Sequence, residues 1–160
     1  MKLTDRLKVE HGVFLRQLRA LETLLKEHPH PAVLASAVET IATAEEYHSA
    51  IEDRLLYPLL AEALGADSEA LVQMGADHAQ LKKLVDTVRS GEFDEKTISD
   101  YIVTMRVHME KEIHKVFRMA EQVITEDKLA SSWEEEHIFE ETGQSALWLR
   151  KLGADRSTLD

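Results

Sequence analysis

Four long stretches of this 160-residue chain repeat apolar residues at intervals of three and four positions. Such spacing puts the apolar side chains on one face of an α-helix, and that face must pack against other helices to leave water. The stretches run roughly over residues 3–27, 32–64, 68–89 and 96–125, with a proline or a glycine in each break. Long helices joined by short breaks predict an all-α fold, an antiparallel up-down-up-down four-helix bundle. Pro58 should interrupt the second helix.

The apolar repeat weakens after about residue 125, which divides the chain into two predicted parts. Residues 1–125 form the four-helix bundle, and residues 126–160 form a short C-terminal helical tail or extension. Segment 133–152 of this tail holds both tryptophans and several aliphatic residues. It is interpreted either as a fifth helix docked on the bundle or as a contact for a homodimer or a protein partner, because clustered aromatic groups mark interfaces.

The ionisable composition excludes several classes of partner and cofactor. An excess of 30 Asp and Glu over 19 Lys and Arg gives a net charge of −11, so neither a nucleic acid nor an anionic membrane is expected as a partner. The absence of cysteine excludes thiolate zinc sites and cysteine-ligated iron–sulfur clusters. No signal-peptide pattern and no run of about 18 apolar residues occurs, so a cytoplasmic protein is expected. Eight histidines leave one class of metal site, His plus carboxylate.

Polar residues interrupt each helical stripe at one level. The first and third helices carry a single histidine there, and the second and fourth carry a histidine and a glutamate four residues apart. These residues are His11, His48 with Glu52, His78, and His108 with Glu112. Because similar numbers of residues separate them from the intervening turns, the bundle should bring all six to one layer. Six polar groups in an apolar core are costly unless a ligand such as a metal pairs with them.

The chemistry of these six side chains predicts a pair of metal ions. Six ligands exceed the four that close a structural zinc site. Four imidazoles and two carboxylates suit first-row metals, and the ligand types favour iron. The predicted cofactor is therefore two iron ions bridged by both carboxylates and by an oxo or hydroxo group. One coordination position on each ion would stay open for a small ligand, and no residue is predicted to be catalytic.

Other polar residues near the stripes fit structural roles better. Glu45 is interpreted as a partly exposed residue of the helix face, with the alternative that it orients a ligand imidazole. The same two interpretations apply to Glu10 and Asp77, which neighbour ligands in sequence. Tyr57 and Tyr101 are expected to pack in the core. Four histidines lie off the stripes or in breaks and are expected on the surface: His28, His30, His114 and His137.

The order of the six residues along the chain resembles the hemerythrin-like (HHE cation-binding) family. The match consists of His11, His48-xxx-Glu52, His78 and His108-xxx-Glu112, and it covers about residues 3–125. The sequence LLYP at residues 55–58 is similar to the family's aliphatic-aromatic-proline signature. The resemblance implies a four-helix bundle holding a non-haem di-iron site that binds oxygen or senses redox state, oxygen or nitric oxide.

Two positions depart from the oxygen-carrying members of that family. Met74 stands where those proteins have a further histidine, one turn before the ligand of the third helix. Glu112 follows His108 by four positions, where those proteins use an aspartate at five. Four histidines instead of five imply a more symmetric and more open site, which argues against reversible oxygen carriage. Met74 is expected in the core, because a thioether is a poor ligand for oxidised iron.

The function expected from these observations is that of a non-haem di-iron protein. It would bind dioxygen, peroxide or nitric oxide and act in oxygen or redox sensing, storage or detoxification, and a non-enzymatic role is favoured. Two alternatives stay open. One is a di-iron redox enzyme that turns over peroxide or nitric oxide, and the other is an iron-binding or interaction protein whose metal is structural.

Overall fold

The computed structural model describes the backbone of residues 1–139 and the side chains of residues 1–132. Helices are the only regular elements in this part of the chain, as the sequence predicted. They are α1 (Leu3–Leu25), α2 (Pro31–Ile51), α3 (Tyr57–Leu64), α4 (Glu69–Ser90), α5 (Glu95–Lys111), α6 (Phe117–Val123) and α7 (Glu126–Phe139). Two π-helical turns, Glu52–Leu56 and Glu112–Val116, join α2 to α3 and α5 to α6. None of the described helices is both long and apolar enough to cross a membrane.

Local chemistry explains where the helices begin and end. Asp94 precedes α5, and its side chain accepts a hydrogen bond from the backbone N–H of Thr97 at 2.8 Å. This bond satisfies a donor that has no partner within the helix. Pro31 begins α2, a position at which its missing N–H costs nothing. Gly91 follows α4 with a φ of 79°, a left-handed conformation that glycine adopts without strain.

The helices α1, α2, α4 and α5 contact one another and form the body of a helical bundle. Its apolar core consists of two clusters. On α1, Leu7 belongs to one cluster and Leu18 to the other, with His11 between them. On α4, Met74 and Leu81 flank His78 in the same way. The layer of predicted ligands therefore lies between two apolar regions, and Met74 is a core residue, 2% exposed, as expected.

The two π-helical turns begin at the two glutamates of the predicted site, Glu52 and Glu112. Pro58 was expected to interrupt the second helix, and regular α-helix does end before it, at Ile51. Proline is not the whole cause, because Arg118 stands at the corresponding place after Glu112 and the same turn forms there. A π-helical turn inserts an extra residue into a helix and is frequent at functional sites.

The helix α7 follows α6 after a break at Ile124, whose backbone is extended. It begins at Glu126, earlier than the predicted start at residue 133. Leu129 is 1% exposed and belongs to the same apolar cluster as Leu7, so the start of α7 packs on the bundle. Residues 140–160, which include most of the predicted segment 133–152, lie outside the described part of the chain. The division of the chain at residue 125 and the homodimer or partner contact stay predictions.

Candidate metal centre

The structure brings all six predicted site residues together in one layer. They form two groups that could each hold a metal ion, and within each group one ligating atom per residue lies within 4.8 Å of every other. Both groups contain Glu52 and Glu112. The first group adds His11 and His48, and the second adds His78 and His108. Two histidine pairs therefore share one pair of carboxylates.

The imidazoles of each pair face one another through their Nε2 atoms. The two Nε2 atoms are 2.8 Å apart in the pair His11 and His48, and 3.2 Å apart in the pair His78 and His108. When both imidazoles of a pair are neutral, at most one of the two facing nitrogens carries a hydrogen atom that it can donate to the other. The facing nitrogens of each pair are therefore suitably placed to bind one cation.

The carboxylates of Glu52 and Glu112 lie between the two histidine pairs. Glu52 Oε1 is 3.1 Å from His48 Nε2, and its Oε2 is 3.7 Å from His78 Nε2. Glu112 Oε2 is 3.3 Å from His11 Nε2 and 3.2 Å from His108 Nε2. Each glutamate thus reaches both pairs, which is the arrangement that a bridging carboxylate needs.

Burial and missing hydrogen bonds test whether this layer fits metal ions. Glu52 and Glu112 are 0% exposed, yet Glu52 Oε1 and Glu112 Oε2 have no hydrogen-bond partner among the described residues. A buried oxygen without a partner costs about 1–3 kcal/mol, and a cation in the layer would remove that cost. Nitrogen and oxygen donors of this kind bind first-row metal ions. The residues present therefore fit a pair of such ions.

The two glutamates have opposite pKa shifts. Burial alone would raise the pKa of Glu52, but the nearby imidazoles of His48 and His11 outweigh burial and lower it. The pKa of Glu112 is raised well above its usual value, first by burial and then by the negative charge of Glu52. The layer without metal therefore favours an ionised Glu52 beside a Glu112 whose proton is held more tightly, because two buried negative charges repel each other.

The histidines differ in the same way. Burial alone would lower the pKa of His48, but the carboxylates of Glu52 and Glu10 outweigh it and raise the pKa to about 10. Burial lowers the pKa of His11. Burial and the neighbouring His78 lower the pKa of His108. His48 is therefore the charged partner of Glu52, while His11 and His108 are neutral at pH 7.

Glu10 contacts a predicted ligand directly, which agrees with the alternative interpretation that it orients a ligand imidazole and not with that of an ordinary face residue. Its Oε2 atom lies 2.6 Å from Nδ1 of His48, so it orients that imidazole from outside the layer. Asp77 occupies the matching place beside His78, but it accepts hydrogen bonds from Lys111 at 2.7 Å and from Gln73 at 2.8 Å. Glu45 is also no partly exposed face residue, because it is 6% exposed.

Tyr57 has a contact that its expected role in core packing did not include. Its hydroxyl group donates a hydrogen bond to Glu112 Oε1, and its ring stacks on His78 with centroids 5.9 Å apart. Burial and the carboxylates of Glu52 and Glu112 raise the pKa of Tyr57 well above its usual value, so the hydroxyl keeps its proton. The sequence indicates this position by its spacing alone, because Tyr57 follows Glu52 and Phe117 follows Glu112 by the same five residues. In the structure Phe117 packs against His11.

The remaining histidines are placed as the sequence predicted, as far as the structure describes them. His28 is exposed and lies 2.7 Å from Glu95. His30 accepts a hydrogen bond from the backbone of Ala32 at the start of α2. His114 is exposed. The side chain of His137 lies outside the described part.

A helical bundle with a layer of four histidines and two glutamates in its interior defines a class of protein, a helical domain with a His/Glu cluster able to bind metal. The family model of the hemerythrin HHE cation-binding domain matches residues 2–120, which is most of the chain. The chain belongs to that family, as the order of its histidines and glutamates predicted. Neither a curated protein nor a solved structure matches it significantly.

Proposed function

We propose that this chain is a non-haem di-iron protein that binds dioxygen, peroxide or nitric oxide and acts in oxygen or redox sensing, storage or detoxification. The observation that carries the proposal is that Glu52 and Glu112 are shared by two histidine pairs. His11 and His48 would hold one ion and His78 and His108 the other, with both glutamates available to each.

The donor atoms favour iron. Neutral imidazoles and carboxylates suit first-row ions, and no thiolate is available because the chain contains no cysteine. A pair of iron ions, when bound, supplies coordination positions at which a small ligand can bind and exchange electrons. Two negative carboxylates offset part of the charge of two cations in the buried layer.

Burial favours a ligand of few atoms. His11, Glu52, His108 and Glu112 are 0% exposed and His48 is 1% exposed, while the side chain of His78 is 14% exposed. A large substrate cannot reach reactive groups enclosed in this way, whereas a diatomic molecule or peroxide can. The burial supports a binding function for small molecules, in agreement with the ligand class expected from the sequence.

The Tyr57 hydroxyl supports a second candidate, a redox enzyme that turns over peroxide or nitric oxide. This group keeps its proton and donates it in a hydrogen bond to Glu112 Oε1 at the edge of the layer. A proton donor next to a bound small ligand would assist its reduction. Turnover of peroxide by the iron-loaded protein that falls when Tyr57 is replaced by phenylalanine would favour this candidate.

The proposal includes the finer topology of the bundle and a cytoplasmic location. Side-chain contacts support antiparallel neighbours, because Thr4 near the start of α1 bonds to Glu121 in α6. Further along α1, Glu22 pairs with Arg106 in α5, so α1 and the segment from α5 to α6 run in opposite directions. An up-down-up-down order of the four long helical segments agrees with these pairs.

Metal analysis with an absorption spectrum tests the proposal. The purified protein should be yellow to brown and contain about two irons per chain, as expected for a pair of ions sharing carboxylates. Glu52→Ala should lose most of the iron, because it removes a carboxylate shared by both groups. Glu110→Ala is the matched control, since Glu110 is an exposed glutamate two residues before Glu112.

The same measurements separate the alternatives. Colourless protein that takes up no iron would contradict the di-iron proposal. Iron-loaded protein whose spectrum does not respond to oxygen, peroxide or nitric oxide would indicate a structural metal instead. A reversible change with oxygen would favour binding over turnover.

A further inference from the structure

The two halves of the candidate centre are built from matching residues on matching helices. The helices α1 and α4 each supply one histidine. The helices α2 and α5 each supply another histidine, and the π-helical turn after each supplies a glutamate four residues on. The halves therefore correspond pair by pair: His11 with His78, His48 with His108, Glu52 with Glu112, Glu10 with Asp77, and Tyr57 with Phe117. This correspondence allows the surroundings of one half to be compared directly with those of the other.

The outer nitrogens of the corresponding histidines have different partners. His48 Nδ1 lies 2.6 Å from Glu10 Oε2, and Arg6 holds that glutamate at 2.6 Å through its other oxygen. His108 Nδ1 is 3.7 Å from Asp77 Oδ2, too far for a hydrogen bond, and finds no hydrogen-bond partner in the part of the chain that the structure describes. A carboxylate behind a ligand imidazole fixes its orientation and strengthens its bond to metal. Only the first half has this support.

The two halves also differ in their access to water. The side chain of His78 is 14% exposed, whereas the corresponding His11 is 0% exposed. His78 lines a surface cleft of about 290 Å³ between α2 and α4, together with Ser49, Ala50 and Asp53. A groove of about 270 Å³ beside the first half is lined by Glu10 and Phe14, and none of the six ligands takes part in its wall.

The cleft beside His78 carries groups that attract a cation. Asp53 lines the wall of this cleft with most of its side chain exposed, and Asp53 Oδ1 lies 3.7 Å from His78 Nδ1. Lys82 also lines the cleft, but it is paired with Asp86 at 2.6 Å. A carboxylate between solvent and a ligand raises the local concentration of divalent ions. The cleft thus gives the second half a route to solvent.

We propose that the two metal positions are unequal: the position at His11 and His48 retains its ion, and the position at His78 and His108 exchanges its ion with solvent through the cleft beside His78. The inference rests on the proposed function, because it requires that two ions bind. The expected ligand is a divalent first-row cation. Glu10 acts as a positioning residue for the retained ion, and Asp53 guides the ion that exchanges.

Titration with Co²⁺, which binds such donors without oxidising in air, tests the inequality. Wild-type protein should bind the first ion at least tenfold more tightly than the second. EDTA should remove the ion at His78 and His108 before the ion at His11 and His48. His78→Ala should still bind one ion at the affinity of the first step, and His11→Ala should lose that step. Two ions of equal affinity and equal release rate would contradict the inference and leave the proposed function intact.

Glu10→Ala and Asp77→Ala form a matched pair that assigns the cause. Glu10→Ala should weaken the first binding step by about tenfold or more, the range measured for such outer partners. Asp77→Ala should change neither step by more than about twofold, because Asp77 has no hydrogen bond to His108. Equal losses in both variants would contradict the role given to Glu10. Circular dichroism of both variants checks that the helices remain folded.

Closing the cleft tests the route. Ala50 is exposed and lines the cleft, so Ala50→Trp should slow the faster release of Co²⁺ to EDTA several-fold without lowering the number of ions bound. Thr43→Trp in the groove beside Glu10 is the control and should leave both release rates unchanged. Unchanged release from Ala50→Trp would exclude the cleft as the route. Wild-type protein that binds no Co²⁺ or iron would contradict this inference and the proposed function together.

Discussion

The hydroxyl group of Tyr57 donates a hydrogen bond to Glu112 Oε1 at 2.5 Å, which links the segment after one glutamate of the layer to the other glutamate. The corresponding residue on the opposite side, Phe117, has no hydroxyl group. The hydrogen bond is therefore a further difference between the two halves of the site. It also supplies one of the few hydrogen bonds that Glu112 makes in its buried position.

Replacing Tyr57 by phenylalanine should destabilise the protein. The variant leaves Glu112 Oε1 without its donor, and an unsatisfied buried group costs about 1–3 kcal/mol. The free energy of unfolding in urea, measured after chelation of metal, checks this value. Tyr101→Phe is the control, because the buried Tyr101 hydroxyl has no hydrogen-bond partner within the described side chains and its loss should be neutral or stabilising. Equal losses in the two variants would contradict the role of the Tyr57 bond.

Metal affinity should rise with pH. The raised pKa of His48, about 10, means that the imidazole is protonated at pH 7 until a metal displaces the proton. The raised pKa of Glu112 acts in the same direction, because it favours the protonated form of that carboxyl group. Because ligands must lose their protons to bind metal, Co²⁺ should bind more tightly at pH 8 than at pH 6 and release protons into a weak buffer. Affinity independent of pH would contradict these pKa shifts.

Without metal, the stabilisation that His48 contributes to the fold should fall as the pH rises, which is the opposite trend from metal affinity. Its folded pKa of about 10 lies above the value of 6.5 for a free histidine. A raised pKa gives stabilisation that is fully present below pH 6.5 and is lost as the pH rises through about 10. Urea unfolding of the chelated wild-type protein and of His48→Ala, compared across this range, should show the difference between them shrinking as pH increases.

The ligand layer was predictable because it depends only on helical periodicity and on distances to the turns. An interval of four residues places His48 and Glu52 on one face of α2 and its following turn whatever the neighbouring helices do. The same periodicity placed Met74 in the core. The family resemblance rests on the same residues and is confirmed by the family match over residues 2–120.

The contacts around the layer were not predictable, because they depend on how adjacent helices are rotated and spaced. Glu10 reaches His48 on α2 rather than its own sequence neighbour His11, and no spacing within α1 indicates that contact. Glu45 was expected to be partly exposed, yet it is 6% exposed, and α4 packs against the helix that carries it. The early start of α7 was missed because the apolar repeat there is short, with Leu129 as the buried apolar residue among the described side chains of this helix.

The two apolar clusters on either side of the layer should carry most of the stability of the fold. Leu81 on α4 is 1% exposed, so Leu81→Ala should cost about 2–5 kcal/mol. Val72 on the same helix is 61% exposed, and Val72→Ala should change the free energy of unfolding by less than about 0.5 kcal/mol. Urea unfolding of both variants measures the contrast. Similar losses would mean that α4 packs on the bundle through a different face.

The opposite pKa shifts of the two glutamates predict opposite effects of the same substitution. The raised pKa of Glu112 favours the neutral form of its carboxyl group without metal, so Glu112→Gln should leave the stability of the chelated protein within about 0.5 kcal/mol of wild type. Glu52 has a lowered pKa and balances the charge of His48. Glu52→Gln removes one member of this buried pair, which should cost about 3–5 kcal/mol.

Added metal should then affect the two variants alike. Co²⁺ at a hundred times its dissociation constant should stabilise the wild-type protein by about 2.7 kcal/mol, because the ion binds the folded layer. Both Glu52→Gln and Glu112→Gln should lose most of this gain, since an amide cannot serve as a negative bridge between two ions, and Glu110→Gln should keep it. Thermal unfolding followed by circular dichroism, with and without Co²⁺, measures both effects. If Glu112→Gln destabilises the chelated protein as much as Glu52→Gln does, the two carboxyl groups are equivalent and the assigned protonation is wrong.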